Sequence, residues 1–174
     1  MRASVTRERI ERLMDRLGRA ASVPARVYLV GGASAVLLGW RLATIDVDLA
    51  MRPHDDALLR AIPAAKEELD INVELASPAD FIPLPLGWED RSPFIAKRYL
   101  ASFYHFDFYS QALAKLERGH RQDAADVLAM QTHGLVALPA LRAYFDEIEP
   151  QLFRFPAIDP PSFRRAVEKL VVAS

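Results

Sequence analysis

Two short stretches of the chain carry residues whose types and spacing suit phosphoryl-transfer chemistry. Gly31 and Gly32 follow a short apolar run, and Asp46 and Asp48 flank a valine in a later one. Alternate residues of a strand point the same way, so Asp46 and Asp48 would present two carboxylates side by side. Such a pair repels itself unless a cation lies between, and Mg²⁺ prefers hard oxygen ligands of this kind. The pattern therefore predicts a magnesium site at Asp46 and Asp48, with Mn²⁺ as an alternative ion.

The Gly31-Gly32 turn suits the phosphates of a nucleoside triphosphate. Glycine lets the backbone approach a phosphate closely and aim N–H groups at it, and the start of the next helix adds its dipole. The Ser34 hydroxyl could donate a further hydrogen bond, and Arg41 could either meet phosphate or cap the helix before it. An isolated Gly-Gly turn is more often an ordinary turn, and an isolated Asp-x-Asp a solvated face. Only one short helix separates Gly32 from Asp46, and this spacing favours a nucleotide site. Two acids on one strand beside a phosphate-binding turn are typical of two-metal phosphoryl transfer.

The elements that position these residues predict an α/β unit with a helical C-terminal part. Apolar residues recur at helical spacing in several segments, whereas short β-rich runs alternate polar and apolar residues or end at glycine. Residues 78–92 are rich in proline and predict a loop. Helices are predicted over residues 6–21, 33–40, 55–68, 108–117, 122–132, 138–149 and 162–172, and strands over 26–30, 45–51, 70–75, 96–101 and 103–107.

Composition and charge restrict the classes of protein that the chain could represent. Its 174 residues suit one domain, and the absence of cysteine excludes disulfides, cysteine–zinc sites and thiol nucleophiles. Residues 45–90 carry 3 basic and 11 acidic side chains, while both flanks are net basic. An acidic middle between basic flanks suits a site that gathers metal ions and holds a polyanion. No apolar run reaches the ~20 residues of a membrane span and no secretory signal is recognisable, so a cytoplasmic protein without membrane association is expected.

Two sequence blocks in the same order resemble a known superfamily. The pattern GGxS at residues 31–34, followed by TxDxD at 44–48, resembles the first motif of the polymerase-β-type nucleotidyltransferases. It is most similar to the abortive-infection and toxin–antitoxin group and their uncharacterised relatives. Residues 112–128 resemble that group's later block, a lysine on one helix and R-x-x-D-x-x-D opening the next. The resemblance implies an α+β nucleotidyltransferase fold, a small mixed sheet flanked by helices, in one domain over residues 1–174. Its core would cover about 26–132, and a helical extension about 133–174.

The resemblance implies roles for individual residues in these blocks. Gly31 and Gly32 match the turn that contacts phosphate, and Asp46 and Asp48 match the metal-binding pair. Lys115 matches the lysine that contacts the triphosphate, where a compact charge on a flexible stem is useful. The alternative for Lys115 is a solvated helix residue. Asp123, in preference to Asp126, matches the later aspartate, and the alternative for Asp123 is stabilisation of a helix start.

The resemblance also implies a third acid on the strand after Asp48, used by many members as a general base. Asp70, Asn72 and Glu74 share one face of the predicted strand. We expect Glu74 to fill this role because it is central in that strand. If Asn72 holds the position instead, base catalysis would be weakened or left to water.

The function implied is Mg²⁺-dependent transfer of a nucleoside monophosphate from a nucleoside triphosphate to a hydroxyl. The acceptor would be the 3′ end of an RNA such as tRNA, a protein or a small molecule. The toxin relatives imply a toxin partnered by an antitoxin protein. The alternative is a catalytically idle fold that binds nucleotide or RNA. A nucleic-acid-binding domain that uses the arginine-rich first helix is a weaker hypothesis, because such domains are usually strongly basic and this chain is nearly neutral overall.

Overall fold

The chain contains a mixed sheet followed by a largely helical C-terminal part. The computed structural model describes residues 3–173. Runs rich in valine, isoleucine and aromatic residues form its strands, as their β propensity predicts. The described strands are β1 (Val5–Thr6), β2 (Ala25–Val30), β3 (Ala43–Thr44), β4 (Asp46–Arg52), β5 (Asn72–Leu75), β6 (Phe94–Arg98) and β7 (Ala101–His105).

Helices connect and follow these strands. Five of the described helices begin after a residue in an extended conformation. Three end at a residue in the left-handed conformation, and two of these residues are glycines. The described helices are α1 (Arg7–Ala20), α2 (Gly32–Leu38), α3 (Asp56–Leu69), α4 (Trp88–Arg91), α5 (Phe108–Arg118), α6 (Arg121–Thr132), α7 (Leu138–Ile148) and α8 (Pro160–Val172), with 3₁₀ turns at Pro78–Asp80 and Glu149–Arg154.

The five longer strands form one sheet in the order β5-β4-β2-β7-β6. Strands β4 and β5 run parallel, as do β2 and β7, whereas β2–β4 and β6–β7 are antiparallel. The short strands β1 and β3 form a separate antiparallel pair. The predicted fold class, an α+β nucleotidyltransferase-like arrangement of a mixed sheet and helices, is confirmed.

The chain groups into two compact units. Unit 1 holds the described residues up to Ser77 together with residues 92–106, and therefore all the strands and α1 to α3. Unit 2 holds residues 78–91 and the described residues from Asp107 onward, and therefore α4 to α8. The single domain expected over residues 1–174 stays a prediction.

The core of unit 1 lies between the sheet and helices α1 and α3. Leucine and isoleucine side chains at helical spacing on α1 bury their apolar surface there, which contributes about 1.5–3 kcal/mol for each side chain. Alternate residues of β2 and β4 fill the other side of the same core. Its buried members include Ile10, Leu13, Leu17, Val27, Leu29, Val47, Leu49, Leu58 and Ile62.

The alternation along β4 determines where the two aspartates point. Val47 and Leu49 are fully buried in the core of unit 1. Asp46 and Asp48 therefore point to the opposite face of the sheet, where both side chains are half-buried. The same face carries Tyr28 of β2, whose neighbours along the strand are core residues.

Unit 2 is organised around the start of α5. The Arg91 guanidinium donates to both carboxylate oxygens of Asp107, at 3.2 and 3.0 Å, and lies over the ring of Tyr144 at 4.1 Å from its centroid. Asp107 in turn accepts hydrogen bonds from the backbone N–H groups of Tyr109 and Ser110. The bidentate pair therefore holds the residue that caps α5.

Several sequence-based element predictions are corrected by the structure. Residues 78–92 are not entirely loop, since Pro78–Asp80 form a 3₁₀ turn and Trp88–Arg91 a short helix. The strand predicted from residue 70 begins at Asn72, because Asp70 ends α3 in the left-handed conformation, with φ of 51°. Strands β1 and β3, of two residues each, were not predicted, because so short a pair shows no periodicity.

None of the described helices is long and apolar enough to cross a membrane. This holds for residues 3–173, the part of the chain that the structure describes.

The cap of α3 generates a prediction about pH. The Asp55 carboxylate accepts hydrogen bonds from the Ser22 backbone N–H, the Ser22 hydroxyl and the Ala57 N–H, each at 2.8 Å. These bonds, the Ser22 backbone bond foremost, lower the pKa of Asp55 from 3.8 to about 2. A lowered pKa stabilises the folded chain above the ordinary carboxyl pKa, and this stabilisation is lost as the pH falls towards the folded-state value.

We therefore expect Asp55→Ala to lower the urea midpoint of unfolding at neutral pH. The difference from the unmodified protein should shrink as the pH is lowered from about 4 to about 2. Asp56→Ala, at the exposed neighbouring position, is the control and should change the midpoint little. An Asp55→Ala effect that is equally large at the lowest pH would contradict the assignment.

Candidate functional site

The strand register brings four polar residues together on the face of the sheet opposite the core of unit 1. In the parallel pair of β4 and β5, Asp46 lies opposite Asn72 and Asp48 lies opposite Glu74. We call these four residues the acidic face. Asp46, Asp48 and Asn72 are half-buried, whereas Glu74 is exposed. The two strands therefore present three carboxylates and one amide to the same side.

Asn72 connects two of these carboxylates directly. Its side-chain Nδ2 donates to Asp46 Oδ1 at 2.9 Å and to Glu74 Oε1 at 2.8 Å. Both are good hydrogen-bond distances, so each N–H of the amide has a carboxylate acceptor. Of the three candidates for the third acid, Glu74 is thus on β5 beside the aspartates, while Asp70 lies outside the strand.

The glycine turn begins beside the aspartates. Val30, the last residue of β2, pairs with Asp48, so Gly31 follows directly after the position opposite that carboxylate. Gly31 has φ of 59° and ψ of −121°, a conformation that side chains with a Cβ rarely adopt, and a Cβ there would meet open space. The glycine is therefore required by its backbone conformation, and it leaves the space above the turn free.

Gly32 is required for a different reason. A Cβ at this position would clash with the Thr44 side chain, 2.8 Å from its Cβ, and would lie 3.4 Å from a guanidinium nitrogen of Arg41. Thr44 and Arg41 therefore pack closely against the start of α2. This contact places the Arg41 guanidinium beside the glycine turn, as the sequence-based phosphate role requires.

Ser34 faces the interior of unit 1. Its side chain is completely buried, and its hydroxyl donates to the Leu29 carbonyl at 3.2 Å and lies 2.8 Å from His105 Nδ1. Burial lowers the pKa of His105 to about 4, so this ring is neutral near pH 7. These contacts support a structural role for Ser34 rather than the predicted contact with a nucleotide.

Lys115 and Asp123 come together in unit 2, where α5 meets α6. Lys115 Nζ lies 2.8 Å from Asp126 Oδ2 and 3.3 Å from Asp123 Oδ1. Arg118 Nε also donates to Asp123, at 2.8 Å, and the His120 backbone N–H donates to the same carboxylate at 3.2 Å. We call Lys115, Arg118, Asp123 and Asp126 the helix-junction cluster.

The helix-junction cluster compensates two buried charges. Burial by itself raises the pKa of Asp123, but hydrogen bonds from Arg118 and the charges of Lys115 and Arg118 outweigh it and lower that pKa. Asp123 therefore stays ionised as part of a paired network. This arrangement supports the alternative that both Lys115 and Asp123 stabilise the helix junction.

The donor atoms of the acidic face fit Mg²⁺ as a partial site. Among residues 3–173, no group of three His, Cys, Asp or Glu side chains is arranged to hold a metal ion. Asp46 and Asp48 nevertheless offer hard carboxylate oxygens on one face of β4. Mg²⁺ commonly takes only one or two carboxylates from the protein and completes its shell with substrate phosphates and water. The pair thus suits an ion that arrives together with a nucleotide.

Comparison with known proteins shows the family of the chain. A family model described as "Nucleotidyltransferase of unknown function (DUF6036)" matches residues 8–155. The chain belongs to this family. No curated protein and no solved structure matches this chain.

Family membership supports the broader part of the resemblance, the superfamily, and does not test the finer part. The DUF6036 description supports the predicted nucleotidyltransferase superfamily and suggests an enzyme. The match includes the glycine turn, both aspartates, the acidic face and the helix-junction cluster. The closer similarity to the abortive-infection and toxin–antitoxin group stays a prediction, as do the roles of the individual site residues.

Some contacts of the site were not predicted from the sequence. The sequence presents Asn72 only as a competitor of Glu74, His105 only as a structural or exposed histidine, and Thr44 only as part of the first motif. Asn72 carries a signal that a register argument could have used, since it lies two residues before Glu74, as Asp46 lies two before Asp48. The contacts of His105 and Thr44 depend on tertiary packing and leave no comparable pattern.

The close approach at Gly32 predicts the result of a double-mutant cycle. Gly32→Ala should lower the free energy of unfolding by about 1–3 kcal/mol, because the new Cβ overlaps the Thr44 side chain. Thr44→Gly in the same background should recover part of this loss, since it removes the overlapping atoms. Urea unfolding of the two single variants and the double variant measures the coupling. Strictly additive losses would contradict the contact.

The helix-junction cluster predicts a large effect of removing its lysine. Lys115→Met should lower the free energy of unfolding by about 3 kcal/mol, because it leaves Asp126 buried without its ammonium partner. Arg121→Met, at an exposed position of α6, should change stability by less than about 0.5 kcal/mol. Chemical denaturation compares the two. Equal, small effects would show that Lys115 is available for another role, such as contact with a triphosphate.

Proposed function

We propose that the protein is a Mg²⁺-dependent nucleotidyltransferase that moves a nucleoside monophosphate from a nucleoside triphosphate to a hydroxyl acceptor. The observation that carries the proposal is the position of Asp46 and Asp48, side by side on β4 next to the glycine turn that follows β2. Membership of a family described as nucleotidyltransferases supports the same reaction class.

In this proposal Asp46 and Asp48 are the metal ligands. When bound, Mg²⁺ would supply charge neutralisation on the phosphates and lower the pKa of a hydroxyl bound to it. The two aspartates orient the ion by their fixed spacing on the strand. Their half-buried position also keeps one side of the pair away from bulk water, which strengthens electrostatic interactions there.

The glycine turn and Arg41 would bind the triphosphate. The open space above Gly31 allows a phosphate to approach the backbone closely. The Arg41 guanidinium beside Gly32 provides a planar donor that suits phosphate oxygens. Both features would stabilise the negative charge that develops on the leaving pyrophosphate during the reaction.

Glu74 is the proposed general base. Its carboxylate is exposed and lies opposite Asp48 in the register, within the acidic face. An acceptor hydroxyl could therefore reach it from solvent and give up its proton as the new P–O bond forms. Lys115 and Asp123 are assigned to stability in this proposal, and a contact of either with nucleotide stays a prediction.

The acceptor and the biological role are finer parts of the proposal. An RNA or tRNA 3′ end, a protein side chain and a small molecule all offer the hydroxyl that the reaction needs. The resemblance favours a toxin with an antitoxin partner. The competing function, an idle fold that binds nucleotide or RNA, has the burial of Ser34 in its favour, since this removes one predicted nucleotide contact.

The reaction class is tested by transfer of label. The purified protein is incubated with each α-labelled nucleoside triphosphate, Mg²⁺ or Mn²⁺, and either total RNA or total protein. We expect label to move to one class of macromolecule and to be abolished by Asp46→Asn, because that variant loses a charged metal ligand while it keeps the shape of the side chain.

Asp90→Asn is the matched control, since it neutralises an exposed acid of α4. It should transfer label as the unmodified protein does, and both variants should keep the same thermal midpoint. Undiminished transfer by Asp46→Asn would overturn the assignment. Metal-dependent nucleotide binding without transfer to any acceptor would favour the idle fold.

A further inference from the structure

The acidic face contains one neutral residue, and its contacts assign it a task. Asn72 lies between Asp46 on the neighbouring strand and Glu74 on its own strand. Its single amide nitrogen donates to both carboxylates, at 2.9 and 2.8 Å. An oxygen of Asp46 and an oxygen of Glu74 are therefore held around one nitrogen atom.

The hydrogen bonds of Asn72 offset repulsion among the carboxylates of the acidic face. Asp46, Asp48 and Glu74 share one face, and like charges so close repel one another. The two N–H groups of an amide attract carboxylate oxygens without adding a charge of their own. An aspartate at position 72 would instead add a fourth carboxylate, and an alanine would leave Asp46 and Glu74 without their shared donor.

We propose that Asn72 is a positioning residue that holds the metal ligand Asp46 and the general base Glu74 in fixed relation to each other. The inference rests on the proposed function, because it assigns Asn72 to the same site. It adds that the spacing of ligand and base is determined by a neutral amide. Asn72 acts through Asp46 and Glu74 and needs no contact with substrate.

The proposal predicts kinetic effects that a merely structural residue would not produce. Asn72→Ala should lower kcat by about 10- to 100-fold, the range typical for residues that orient metal ligands, and raise the Mg²⁺ concentration for half-maximal rate. Asn72→Asp should lower that Mg²⁺ concentration, because a fourth carboxylate attracts the cation. It should also lower the thermal midpoint without metal, and Mn²⁺ should restore the midpoint. Opposite shifts in metal requirement from two substitutions at one position indicate positioning.

A spectroscopic test uses the composition of the chain. Asn72 is the only asparagine in the sequence, so selective ¹⁵N-asparagine labelling of the full chain gives one side-chain NH₂ signal pair. In the metal-free protein, Asp46→Ala and Glu74→Gln should each shift this pair, because each changes one acceptor of the bridge without adding a second asparagine. Adding Mg²⁺ with a non-hydrolysable nucleoside triphosphate should shift it as well. Gln122→Ala, which removes an exposed amide of α6, should leave both the signal pair and kcat unchanged.

The outcomes separate this inference from the proposed function. If the unmodified protein transfers label and Asn72→Ala has the same kcat and Mg²⁺ dependence, the positioning role is overturned and the reaction class stands. NH₂ signals that shift in neither Asp46→Ala nor Glu74→Gln would also overturn it. If the protein neither transfers label nor binds metal with nucleotide, the proposed function fails, and a bridge that still responds to both variants is structural only. Should Asn72→Ala fail to fold, the kcat of Asn72→Asp decides the question, because an ionised carboxylate at position 72 cannot donate to Asp46 and Glu74; an unchanged kcat would overturn the positioning role.

Discussion

The parallel register of β4 and β5 is the one geometric constraint that brings the residues of the acidic face together. This register places Asn72 opposite Asp46 and Glu74 opposite Asp48. A slip of one residue would turn the polar side chains of one strand towards the core and its apolar ones towards the acidic face. The burial of Val47, Leu49 and Val73 on the other face opposes such a slip, because each would lose its place in the core. The same residues that stabilise the sheet thus determine which side chains meet at the site.

The protein stabilises its acidic groups in two different ways. In unit 2, Asp123 and Asp126 are buried, and their negative charges are paired with the positive charges of Lys115 and Arg118. On the acidic face of unit 1, Asp46 accepts a hydrogen bond from the neutral amide of Asn72, and this contact does not neutralise the negative charge of Asp46. A cation-binding role is therefore better suited to the acidic face than to the helix-junction cluster. For this reason we assign metal binding to Asp46 and stabilisation of the helix junction to Asp123.

Much of the fold follows from periodicity in the sequence, and less of the site does. Helix α1 and strand β4 agree with their predictions to within one residue at each end, because apolar spacing on a long element is a strong signal. The same alternation places Asp46 and Asp48 on one face. The bridge of Asn72 could be predicted only in part. Asn72 lies two residues before Glu74, as Asp46 lies two before Asp48, but the register of the two strands, which are separated by α3, leaves no signal in the sequence. Ser34 looked like a phosphate contact in the sequence, but its first helical turn directs the hydroxyl to Leu29 and His105 in the interior.

We propose that Asp46 and Asp48 form a metal site that a nucleotide completes. Calorimetric titration of a non-hydrolysable nucleoside triphosphate into the protein, with and without Mn²⁺, tests this claim most directly, with Asp48→Asn as the comparison. We expect saturable binding that requires the metal and that weakens at least about tenfold in Asp48→Asn, because the ion then keeps only one charged protein ligand. Nucleotide binding of equal strength without metal, or unchanged by Asp48→Asn, would contradict it.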